Sequence, residues 1–294
     1  MNAYEVKIDI TTKKRRPFDI FLYALIFLFT AFVLGMTLFF IIYILAKGLS
    51  GLSWAFLTAA PNPIKQTIGI FPSIVNTVYI VMLALLFAVP IGVGGAIFIN
   101  EYATNRKFIK MVEFTTETLS GIPSIIFGVF GYVFFAVMLN LKVSILAGAL
   151  TLTMMVLPII IRTTQEALKA VPEKYREGAM GIGATKWYMI RTILLPSAAS
   201  GIITSIILAV GRIVGESAAC LLVAGGSAMY MPKGSFFQQI MSSGSTLSVE
   251  LYRYAYSRGD NEVGFAIAAL LLIIVMILNI AIKLVSRKLN AKGA

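Results

Sequence analysis

Six apolar runs, about 19 to 30 residues long, alternate with polar stretches along the chain, at 18–46, 70–99, 114–139, 143–161, 195–222 and 263–282. A helix needs about 20 apolar residues to cross the hydrocarbon, and a lipid-exposed sheet edge would leave backbone groups unpaired. The pattern predicts an all-α integral membrane protein with six transmembrane helices and excludes a soluble α/β fold. It divides the chain into an N-terminal segment at 1–17, a first span with its loop at 18–69, a transmembrane domain at 70–282 and a C-terminal tail at 283–294. The first run is too long for a secretory signal peptide and lacks a small-residue cleavage pattern before the next loop, so it reads as a retained helix.

Two of the polar stretches carry patterns of their own. Between spans four and five, VPEKYREGAMGIGA places Pro172 and Glu173 where a short helix would start and glycines where it would stop. A helix there either lies on the membrane surface or docks onto a protein partner. Between spans five and six, the segment 231–261 contains GSFFQQIM and LSVELYRYAYSRG, with apolar and aromatic residues at helical intervals. It predicts one or two short helices, serving a partner or packing as a lid. Within the spans, Pro90 with Gly92, Gly94 and Gly95, then Gly121, Pro123, Gly128 and Gly131, permit bends and close helix approach.

Composition agrees with this reading: 59% of residues are hydrophobic, 13% are charged and mean hydropathy is +0.89. The formal charge of +12 is spread over short loops rather than gathered on one polar domain, which argues against nucleic acid. With the N-terminus inside, the inner side receives five Lys and Arg in the N-terminal segment, three around 106–110, six in 162–191 and four at the end. The outer side receives only Lys47, Lys65, Lys142, Lys233, Arg253 and Arg258. The positive-inside rule thus predicts both termini in the cytoplasm. The single cysteine, Cys220, and the absence of histidine offer neither a disulfide nor a metal site.

Charges inside the apolar runs are the candidates for chemistry. Arg212 and Glu216 stand four residues apart, on one face of a continuous helix. They are either a structural lock or a substrate path, with Arg212 attracting an anion and Glu216 keeping it from binding too tightly. A guanidinium suits phosphate, sulfate and carboxylate alike. Glu113, Glu117 and Arg162 sit near span ends as candidates for a gate, for inter-helix ion pairs or for solvated helix-end charges. Ser120, Ser124, Thr204, Ser205, Asn76 and Asn100 are polar residues that suit a route or ordinary packing equally.

A family resemblance enters at Glu177. The chain there resembles the EAA loop of bacterial binding-protein-dependent ABC importers, a pattern of Glu-Ala-Ala, three residues, Gly, nine residues, Ile, one residue, Leu-Pro. Glu177, Ala179, Gly183, Ile193, Leu195 and Pro196 match it, while Gly178 replaces the first Ala. The resemblance implies a cytoplasmic coupling helix between spans four and five, with Glu177, Gly178, Ala179 and Gly183 in a segment that docks into a separate ATPase. The chain has no GxxxxGK[ST] loop, so ATP and Mg would belong to that partner. ETLSGIPSIIFGVFG and AVGRIVGESAACLLVAG further resemble phosphate-importer permeases of the PstA type. This implies a non-enzymatic subunit of the bacterial inner membrane, with a paralogous PstC-like permease, two copies of a PstB-like ATPase and a PstS-like phosphate-binding protein outside. Sulfate, molybdate or another small anion is the alternative cargo, and a secondary anion transporter or a membrane scaffold the alternative class.

Overall fold

The computed structural model describes residues 17–62, 67–226 and 235–290, with side chains between 18 and 284. The basic stretch at 13–16, the tail beyond 290 and the residues 231–234 of the outer segment lie outside the described residues. Two units are distinct. The first, ending at Ala46, is an apolar helix, α1 (Pro17–Gly48), which runs two residues past the boundary.

In the second unit, Ser53 caps α2 (Trp54–Thr58) by accepting a hydrogen bond from the Phe56 amide at 3.1 Å. The long helix α3 (Phe71–Ile97) has Pro72 in its first turn, where a missing N–H costs nothing, and continues as a π-helical turn to Tyr102. Asn105 caps α4 (Arg106–Ser120). Helix α5 (Ser124–Gly131) runs on through a π-helical Tyr132–Met138. Ser144 caps α6 (Ile145–Lys169), which is followed by α7 (Glu173–Gly181) and α8 (Lys186–Met189). A π-helical turn joins α8 to α9 (Leu195–Gly215), and α10 (Ala218–Val223) follows. The short helices α11 (Phe236–Ile240) and α12 (Leu247–Tyr252) precede the final α13 (Asn261–Asn290). The two patterns in the outer segment thus form α11 and α12.

The main core lies where α3, α6 and α9 meet, with Ile80, Ala84, Ala88, Leu152, Val156, Ile160, Ala209 and Ile213 all buried. Small residues let these helices approach closely: a Cβ on Gly92 would stand 2.6 Å from Ile160 Cγ2. The outward stripe of α3 is apolar too, with Val78, Met82 and Leu86 at least half exposed at helical spacing. An apolar exterior over an apolar core is the arrangement lipid favours and water does not.

Among the described residues five helices are long and apolar enough to cross a membrane, and six spans result if one bent pair counts as a single crossing. That pair corrects the expected single third span at 114–139: Arg106–Ser120 and Ser124–Met138 meet at 101°, with the bend falling at the glycine and proline that the sequence marks for one. The break at Gly121-Ile122-Pro123 has a simple cause, because a proline ring disfavours the helical conformation of the residue before it. Only the second arm is strongly apolar; α4 is amphipathic, with Arg106, Lys110 and Glu117 along one face. The fourth span is longer than expected and takes in Arg162, and the fifth crosses at Lys186–Gly215 rather than 195–222.

Candidate functional site

At the C-terminal end of α6 the chain turns through Ala170-Val171-Pro172 into α7. One face of this nine-residue helix is held by Ala179, which is 4% exposed and packs with Leu168, Val171, Met189, Ile190, Leu194 and Ala198. The helix ends in a Schellman motif: the Gly183 amide donates to Met180 O at 3.0 Å and the Ala184 amide to Ala179 O at 3.1 Å. Gly183 has φ +80°, a left-handed conformation that glycine adopts without strain. Glu177 and Gly178 face outward, and a Cβ on Gly178 would meet nothing within 4 Å. Next to them Met180 and Ile182 are exposed at 53% and 85%. The element therefore presents Glu177, Gly178, Met180 and Ile182 on its outer side, while Ala179 and Gly183 shape it from within. Ala179, which the resemblance puts in the docking segment, turns its methyl into this intramolecular packing.

The inner anchorage of α7 involves residues that the sequence reading did not single out. The Arg176 side chain is 14% exposed and that of Glu101, on the π-helical end of α3, is 5% exposed. Arg176 Nη2 lies 3.3 Å from Glu101 Oε1, and Nε donates to the same oxygen at 3.3 Å. Its other bonds run to Leu168 O at 2.8 Å, Val171 O at 3.0 Å and Glu173 Oε2 at 3.0 Å. Asn100 Nδ2 donates to Glu101 Oε1 at 2.6 Å, which gives Asn100 a partner and a role. Arg176 and Glu101 are 75 positions apart, so neither spacing nor periodicity could have paired them.

A second assembly lies between α4 and α6. Glu113, Thr116, Glu117, Arg162, Gln165, Glu166 and Lys169 line one cavity of about 260 Å³. All three gate candidates, Glu113, Glu117 and Arg162, are thus brought together. Arg162 pairs with Glu166 at 3.3 Å and Lys169 with Glu113 at 3.4 Å, both pairs exposed. Arg162 stands on α6 itself rather than in a loop.

The expected Arg212–Glu216 pair does not form. Helix α9 ends at Gly215, and Glu216 adopts an extended backbone at φ −81°, ψ 114°. Leaving the helix removes it from the i, i+4 face. Its carboxylate instead accepts the Ala219 amide at 3.1 Å at the start of α10, and its carbonyl accepts Ser248 Oγ at 2.8 Å. Arg212, half-buried in the last turn of α9, makes no ion pair among the described residues. Its charge does favour the negative end of the helix dipole. Around Glu216, Asn76 donates to Ser245 O at 3.2 Å, and Thr77 Oγ1 accepts the Leu247 amide at 2.9 Å, tying α3 to the segment leading into α12. Ser205 and Thr204 bond carbonyls of their own helix, as Ser120 does. Ser124 begins α5.

Comparison with known proteins places these features. Residues 88–291 match the family described as binding-protein-dependent transport system inner membrane component. The chain belongs to this family. It is 39% identical over 183 residues to a protein of Bacillus subtilis named probable ABC transporter permease protein YqgI, covering 62% of each chain. It thus spans less than two thirds of that relative. It is also 34% identical over 199 residues to a phosphate transport system permease protein PstA of Xylella fastidiosa, covering 68% of this chain and 69% of that one. Among solved structures, a bacterial alginate ABC transporter bound to its periplasmic protein shares the fold, with TM-score 0.63 at 19% identity over 90% of this chain and 95% of that one. An inward-facing MetNI methionine ABC transporter does so with TM-score 0.59 at 23% identity, over 75% of this chain and 94% of that one. The chain is therefore a membrane-embedded permease subunit of an ABC importer, a class without its own ATPase site. The matched region takes in α7, the cavity and Arg212 together.

Proposed function

We propose that this permease carries inorganic phosphate inward across the bacterial cytoplasmic membrane, driven by separate ATPase subunits. The observation that carries the substrate is the recurrence of the PstA-named proteins among its relatives, one of them from Yersinia pestis at 32% identity over 263 residues and 85% of each chain. In this reading both termini are cytoplasmic and α7 is the coupling helix. Its outward Glu177, Gly178, Met180 and Ile182 dock into a PstB-like ATPase, while Gly183 ends the helix so that the chain can return to α8. ATP and Mg belong to two copies of that ATPase. A PstC-like permease completes the pathway, and a PstS-like binding protein delivers phosphate from outside.

The buried geometry is compatible with an anion in transit. Arg212 offers a half-buried guanidinium with no ion pair among the described residues, and Glu216 follows four positions on, just past the end of α9, with its carboxylate on the Ala219 amide. A cation fixed in low dielectric attracts an anion strongly, and neighbouring carboxylate charge keeps retention weak enough for release. At the α7 end, Glu113, Glu117 and Arg162 form the inner gate, where exchangeable ion pairs open and close at little energetic cost.

The test is ATP-dependent uptake of labelled phosphate in proteoliposomes holding the complete complex, with sulfate as competitor. Phosphate accumulation resistant to excess sulfate is the expected result. Uptake of sulfate or molybdate alone would overturn the substrate while leaving the importer intact, and uptake without any ATPase would favour a secondary transporter. In an assembled complex, Arg212→Gln should lower phosphate uptake by about tenfold or more, the scale of one charge-assisted hydrogen bond.

A further inference from the structure

A coupling helix is useful only if its displacement reaches the spans, and the chain on either side of α7 is poorly suited to transmit it. The entry is a three-residue turn ending in proline, and the exit passes through Gly183 with nothing packed where its Cβ would be. What remains is the apolar contact of Ala179 and the single guanidinium of Arg176. That guanidinium touches three elements at once: its own helix through Glu173, the end of α6 through Leu168 O and Val171 O, and the end of α3 through Glu101. Leu168 O lies in the last turn of α6 and Val171 O in the turn that follows it, a place where the helix dipole favours a cation. Asn100 Nδ2 donates to the same Glu101 Oε1 that receives Arg176 Nε and Nη2, so three donors converge on one carboxylate oxygen and fix its position. A planar fork with five donors can hold such a set; an ammonium cannot.

We infer that Arg176 is a positioning residue that locks the coupling helix to the inner ends of α3 and α6, so that the three move as one body when the ATPase closes. The inference rests on the reading of α7 as the coupling helix. It differs from a general need for stability, because α3 and α6 are already packed against each other along their length through Ile80, Ala84, Leu152 and Val156. Losing the lock would leave the bundle assembled and the stroke untransmitted.

The experiment uses the full importer in proteoliposomes and measures ATP hydrolysis and labelled phosphate uptake in the same vesicles. Arg176→Gln, with the ATPase still co-purifying, should lower uptake per ATP hydrolysed by about fivefold or more, at the lower end of typical coupling effects. Arg176→Lys and Glu101→Gln, which keep part of the set and guard against misfolding of the first variant, should fall between it and the native protein. A direct readout of rigidity comes from spin labels at Thr104→Cys, just past the end of α3, and Lys174→Cys on α7, both exposed positions. Their separation should stay the same between nucleotide-free and vanadate-trapped native complexes, and should change between those states in Arg176→Gln. Equal loss of hydrolysis and uptake at unchanged stoichiometry, or an unchanging label separation in the variant, would overturn the lock. Coupled transport in the native complex that survives a disrupted α7 would instead overturn the coupling-helix reading, and the lock with it.

Discussion

Ala179 and Gly178 are neighbours in sequence with opposite surroundings. Ala179 is enclosed by Leu168, Met189, Ile190 and Leu194, whereas Gly178 faces outward into open space. Ala179→Leu should therefore cost about 1–3 kcal/mol through overpacking. Gly178→Ala should gain roughly 0.5–1 kcal/mol, because a helical glycine carries extra backbone entropy and nothing obstructs the added methyl. Thermal unfolding of the purified permease, followed by intrinsic fluorescence, would check both; an Ala179→Leu protein as stable as the native one would contradict the packing assignment. Gly183 belongs to the same argument. Its φ of +80° is unfavourable to any residue with a Cβ, so Gly183→Ala should destabilise the end of α7 by about 1–2 kcal/mol. Hydrogen exchange should then rise at the Gly183 and Ala184 amides, which close the helix.

At the scale of elements, the break between α4 and α5 determines what α5 can touch. Turned away from α4 by 101°, α5 packs on α6 and α10 through its small residues. A Cβ on Gly128 would stand 2.9 Å from Ala219 Cα, and one on Gly131 would collide with Thr151 Oγ1. Gly131→Val should lower stability by about 1–3 kcal/mol, and Thr151→Ala in the same chain should recover part of it. The comparison of melting temperatures across the two single variants and the double would show whether this contact is the cause. The proline and glycines here were legible in the sequence as places for bends and close approach, but a hydropathy run cannot tell a straight span from two arms at an angle. The same limit explains Glu216. Periodicity assumes a continuous helix, and the helix stops one residue earlier. Short helices α7, α11 and α12 were legible because their starts and periodic apolar positions are local. Glu113, Glu117 and Arg162 were legible as a group of charges at span ends, but the Arg176–Glu101 pair, and the Gln165, Glu166 and Lys169 that complete the cavity, were not, since both depend on which distant helix ends meet.

For the whole molecule, the distribution of charge and the course of α6 point to one orientation. Helix α6 extends over 25 residues, roughly 37 Å at the usual rise, with Ser144 near α11 at its start and α7 at its finish. The two ends of this helix must then face opposite sides of a bilayer about 30 Å thick. The α7 end carries Arg162, Lys169, Lys174, Arg176 and Lys186, and the proposed function, with the positive-inside rule, puts it on the cytoplasmic side. The sole native cysteine, Cys220, is buried and so provides a silent background for labelling. A cysteine at Phe237, which is 72% exposed on α11, should react with a membrane-impermeant maleimide added to intact cells with an opened outer layer. A cysteine at Lys174 should react only after the membrane is made permeable. The reverse pattern would place α7 outside, where no ATPase could reach it, and would remove the physical basis for coupling through that helix. Equal labelling of both positions in intact cells would mean that α6 does not cross, contradicting its length and its apolar composition together.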